Sequence, residues 1–170
     1  MGGKKLGIIL VVLVVVVAAG FGIWRLWPHS FQSMVGVEEA NIASIDCLTS
    51  HLGVYEESED KSGTYKLDAL TPESPEFAEV IGLLSKGKFR QDFRNLLTGV
   101  GSVGVDGIAL NVIIVFEENG AEGSQVLTLF GDGTVVVNSK AGNGGKVYHL
   151  THKELVQEIA TYIQAKGKKQ

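Results

Sequence analysis

Hydrophobic positions along the chain follow three different patterns. From Leu6 to Trp24 there is no charged residue, and "LGIILVVLVVVVAAG" is apolar on every side. At 1.5 Å per residue the run makes a helix of about 28 Å, close to the ~30 Å hydrocarbon thickness of a bilayer. Lys4 and Lys5 before the run, and Trp24 and Trp27 after it, are flanks that a spanning helix favours. This pattern predicts one N-terminal transmembrane helix in residues 1–27, with a cytoplasmic N-terminus and an extracytoplasmic remainder: a single-pass signal-anchor. Val17-Ala18-Ala19 also offers a cleavage site, so secretion after signal removal is the alternative.

Alternation with a period of two marks the second pattern. Residues 28–40 read as a tether. "NIASIDCL" and "TYKLDAL" then read as strands, with a further strand possible in composition at "HLGVYE". "IALNVIIVF" is apolar on both alternating faces, as in a central strand covered on two sides. "SQVLTLF" and "TVVVN" flank Gly131-Asp132-Gly133, and an Asp-Gly between β-branched runs signals a hairpin whose turn residues take positive φ. "VYH" reads as a last short strand.

Helical periodicity is the third. In "TPESPEFAEVIGLL", Phe77, Val80, Ile81 and Leu84 recur at i, i+3, i+4, i+7. Thr71 with Pro72, or Ser74 with Pro75, supplies the cap and first-turn proline. "LTHKELVQEIATYIQAKG" repeats the pattern with Leu155, Ile159, Tyr162 and Ile163 inward. There Thr151 and Glu154 suggest a capping box, Leu150 a staple on Leu155, and Gly167 a stop before a basic tail, 167–170. The order of elements implies an α+β domain over 41–166, an antiparallel sheet packed by two amphipathic helices.

Charge changes this picture in one place. The chain carries 15 basic and 19 acidic side chains, and Lys4, Lys5 and Arg25 adjoin the apolar run, so the rest is distinctly acidic. Nucleic acid is excluded as a partner on that ground. Within the acidic remainder, "SKGKFRQDFRNLL" concentrates Lys86, Lys88, Arg90 and Arg94. As a strand it sets Lys88, Arg90, Asp92 and Arg94 on one face and Phe89 and Phe93 on the other; as a helix, Phe89, Phe93, Leu96 and Leu97 form the apolar side. Gly87 favours the strand. A solvated face that balances nearby acids is one reading of these cations. The other is a binding surface for an anionic protein, peptide or wall polymer.

Other chemistry finds little support. Gly99-Val100-Gly101-Ser102-Val103-Gly104 matches a dinucleotide-binding pattern, yet strand composition follows it where a helix must supply the phosphate site. "AGNGGKV" has Lys140 and Val147 where a phosphate loop needs Gly and Ser or Thr. The acidic residues Glu56, Glu57, Glu59 and Asp60 lack the ligand spacing of a calcium loop. His149, His152 and Glu154 straddle a helix start and need not share a face. Cys47, the single cysteine, sits in step with Ala43 and Ile45 and has no basic neighbour, so it reads as a buried structural thiol. No catalytic residue, metal or cofactor is assigned.

The apolar run, "LTPESPEFAEVIGLLSKGKFRQDFRNLL", "VLTLFGDGTVVV" and "YHLTHKELVQEIATYI" together resemble an uncharacterised family of small membrane-anchored or secreted α+β domains of Gram-positive bacteria. The resemblance implies a non-enzymatic extracytoplasmic module and carries no functional residues. The expected function is a membrane-anchored binding domain using the segment 86–94, with 98–107 as its rim. The alternatives are a hydrolase built on His149 or His152, and a structural subunit of a membrane complex.

Overall fold

Side-chain alternation in the strands decides which residues form the core, and the computed structural model describes residues 2–52, 63–91, 107–139 and 145–170. The elements are α1 (Gly2–Leu26), α2 (Phe31–Val35), a 3-10 turn (Glu39–Asn41), β1 (Ile42–Leu52), β2 (Tyr65–Leu70), α3 (Pro75–Ser85), β3 (Phe89–Gln91), β4 (Gly107–Glu118), β5 (Ala121–Phe130), β6 (Thr134–Ser139), β7 (Lys146–Leu150), α4 (Glu154–Lys166) and β8 (Lys168–Lys169). The strands form one eight-stranded sheet in the order β3-β7-β6-β5-β4-β1-β2-β8. Every neighbouring pair is antiparallel. The fold is α+β.

One face of the sheet carries Ile45, Cys47, Leu110, Val112, Ile114, Leu127, Leu129 and Val135, all fully buried. Against it pack Phe77, Val80, Ile81 and Leu84 of α3, and Leu155, Ile159 and Ile163 of α4, the helical faces expected from their spacing. Tyr162 lies at the rim, partly buried. Burying each large side chain contributes roughly 1.5–3 kcal/mol. The opposite, outer face alternates with the first: Ala109, Val136 and Val147 are buried there apart from the core cluster, whereas Ile113 is 37% exposed. The central strand β4 is therefore covered fully on one side and only in part on the other.

Residues 28–40, read as a tether, hold α2 and the start of the 3-10 turn. Phe31, Met34, Val35 and Val37 join the core, the Ser30 hydroxyl accepts from the Ser33 N–H at 3.2 Å, and Gln125 donates to the Val35 carbonyl at 2.7 Å. Packing holds a five-residue helix that would not persist alone. The β5–β6 turn has three residues rather than two: Gly133 alone takes positive φ, and the Asp132 carboxylate accepts the Thr134 N–H at 2.8 Å. A two-residue turn with positive φ at both positions occurs instead at Asn119-Gly120, between β4 and β5. The capping box also fails to form. Thr151 gives its N–H and hydroxyl to the Lys88 carbonyl, at 2.9 and 3.0 Å, and α4 starts at Glu154.

The largest correction concerns α1. The helix forms, and from Ile8 to Ile23 its large side chains are 55–65% exposed. Among the described residues, however, no helix is long and apolar enough to cross a membrane. The transmembrane helix, the membrane as partner and the single-pass signal-anchor location are corrected on that finding.

Candidate functional site

The basic segment begins where α3 ends. Ser85 is the last helical residue, Gly87 is buried, and Phe89 enters the sheet fully buried opposite Leu150. Phe89 is held from both sides of β3. Its N–H donates to the His29 carbonyl at 3.0 Å and its carbonyl accepts the His29 N–H at 2.7 Å, so residue 29 covers this edge of the sheet. With Phe89 inward, a period of two turns Arg90 outward. Arg90 is exposed on the outer face, in register with His149, which in turn faces Thr134.

Among the described cations, Lys86 stands apart from Lys88 and Arg90. Lys86 sits at the C-terminus of α3 and pairs with Glu158 of α4 at 2.8 Å, with both side chains more than half exposed. Such a pair is worth at most about 1 kcal/mol, but it occupies this lysine. Lys88 and Arg90 are exposed and form no ion pair with any described residue. Arg94 lies outside the described residues, as do the loop 98–107 up to Asp106, with its glycine pattern, and the acidic run 56–60. The strand reading holds for Phe89–Gln91, and 92–97 lies outside.

A second cationic group is assembled by the sheet itself. Lys66 on β2 faces Lys168 on β8, and Tyr65 faces Lys169. Lys166, at the end of α4, is exposed nearby in sequence. Like charges directly across a strand pair are unfavourable. Here the Asp68 carboxylate offsets one of them, bonding the Lys66 ammonium at 2.5 Å. Hydrogen bonding to Asp68, then its charge, raises the pKa of Lys66. Leu67 belongs to the core cluster, so Lys66 and Lys168 project from the outer face, as Arg90 does. Nothing local in the sequence joins positions 66 and 168, and 167–170 alone reads as a basic tail.

The remaining candidates are placed apart. Cys47 is fully buried in β1, and burial, with the neighbouring charge of Asp46 adding, pushes its thiol up to about 12. A thiol protonated at neutral pH is not a nucleophile. His149 is half-buried on the outer face, His152 is exposed ahead of α4, and Glu154 opens that helix. Among the described residues no group of three or more His, Cys, Asp or Glu side chains could hold a metal ion. Thr49 is fully buried with its hydroxyl unpartnered, a feature that the sequence does not reveal.

No family model matches the chain, and no curated protein or solved structure matches it. The resemblance to membrane-anchored Gram-positive domains does not hold: no family match supports it, and no described helix spans a membrane. What the fold defines is a small α+β domain with an eight-stranded antiparallel sheet.

Proposed function

We propose that this chain is a binding domain that recognises an anionic segment of a partner through Lys88 and Arg90. One observation carries the reading: in an acidic chain of formal net charge −4, these two cations stand exposed with no described carboxylate opposite them. Phe89 supports it by fixing the backbone between them, since a fully buried residue with both backbone groups bonded to His29 leaves little freedom to its neighbours. Unpaired positive groups on an acidic body form a local patch that orients an anionic partner, because the surrounding negative field disfavours its contact elsewhere.

The test is the double variant Lys88→Ala/Arg90→Ala, titrated with an acidic peptide at low and at physiological salt. Binding at low salt is expected to fall by about tenfold or more, while stability changes by no more than about 0.5 kcal/mol, as for other exposed positions. Equal loss of stability and binding, or unchanged binding, would remove the reading.

A further inference from the structure

Two cationic groups stand at opposite edges of the sheet. Lys88 and Arg90 belong to the β3 edge, and Lys66, Lys168 and Lys169 to the β8 edge. Parity places Arg90, Lys66 and Lys168 on the same outer face, since Phe89 and Leu67 beside them point into the core. α2, α3 and α4 supply their buried residues to the other face. Across the eight-stranded sheet, at about 4.8 Å per strand, the two edges are about 34 Å apart.

We infer that the partner segment is an extended acidic polypeptide long enough to engage both edges at once. This deepens the proposed function and rests on it, because the β3 edge is one of the two contacts. The β8 edge shows the chemistry expected of such a ligand: Lys66 already holds a carboxylate, that of Asp68, while Lys168 beside it has no ion-pair partner among the described residues. A second carboxylate placed against Lys168 relieves the repulsion between the two facing lysines. Extended chain covers about 3.4 Å per residue, so about ten residues reach from edge to edge. Once one edge is engaged, the other meets its ligand at high effective concentration, so a long chain gains affinity that a short one cannot.

The experiment compares glutamate oligomers of about five and about twenty residues, below and above that span, titrated into the full chain at low salt. Three proteins are needed: wild type, Lys88→Ala/Arg90→Ala and Lys168→Ala/Lys169→Ala, each with its thermal midpoint measured. Wild type is expected to bind the long oligomer at least about tenfold more tightly than the short one, with either double variant losing most of that difference. Equal affinity for both lengths overturns the inference. So does a Lys168→Ala/Lys169→Ala variant that binds the long oligomer as wild type does, while loss in the Lys88→Ala/Arg90→Ala variant leaves the one-edge reading standing. Wild type that binds neither oligomer overturns both. Long-chain polyphosphate bound more tightly than the long oligomer overturns the assignment of a carboxylate ligand.

Discussion

Two buried side chains on β1 give the most direct tests at the scale of single residues. Thr49 is fully buried and its hydroxyl has no hydrogen-bond partner, so folding strips it of water without return. Thr49→Val removes that hydroxyl at nearly constant volume and is expected to stabilise the domain by about 1 kcal/mol, read from urea unfolding midpoints. Cys47, two residues away on the same face, couples stability to pH. Its folded pKa of about 12 lies above the 9.0 of an ordinary thiol, so the folded state keeps a proton that the unfolded state releases. The contribution is fully present below pH 9 and is lost as pH rises towards 12. Subtracting the unfolding curves of Cys47→Ala from those of wild type, at pH 8 and at about pH 10.5, isolates this group from the lysines and tyrosines. The two proteins are expected to converge in stability at the higher pH, and a constant difference would contradict the buried, protonated thiol. At neutral pH a thiol reagent is expected to label Cys47 only as fast as the chain unfolds.

Among the elements, β8 depends on one close approach. A Cβ at Gly167 would lie 2.5 Å from the Ile163 carbonyl oxygen and 2.9 Å from that of Lys66, both rigid backbone. Gly167→Ala is expected to lift the end of α4 off β2, lower stability by about 1–3 kcal/mol, and expose the Gln170 N–H that now donates to the Thr64 carbonyl at 2.8 Å. Hydrogen exchange at Gln170 checks this: protection should fall there first, ahead of the central strands. The elements also show which signals are local. α3 and α4 are legible because their apolar spacing lies within one helix, and Phe89 against Arg90 is legible because alternation needs only neighbours. The start of α4 is not, because the Lys88 carbonyl, far away in sequence, takes both donors of Thr151. Nor is the bulge of β2 against β1, where the Asp46 carboxylate accepts the Ala69 N–H at 2.6 Å and holds that residue at a φ of 50°. Phe31, Met34 and Val35 do show helical spacing, but five residues are too few to separate a helix from a linker.

For the whole molecule, the sequence makes the α+β class and one antiparallel sheet legible, because strand and helix periods segregate along the chain. Strand order escapes it, and the candidate site with it. Lys88 and Arg90 are neighbours in sequence, whereas Lys66 and Lys168 meet only once β8 has crossed to the far edge. Lys86, grouped with the others by sequence, is drawn to the helical layer by Glu158. The grip of His29 on the outermost residue of one edge, and of Lys168 and Lys169 on the other, also has a mechanical consequence. Tension applied between residues 29 and 169 enters the sheet at its two margins and must pass sideways through every strand pair, so the weakest margin sets the yield point. On the β8 side only two residues pair with β2, so a pull taken up there peels that strand before any of the long central pairs. A tug on that side would release Lys168 and Lys169 while leaving the central strands, and the mounting of Phe89 and Arg90, in place.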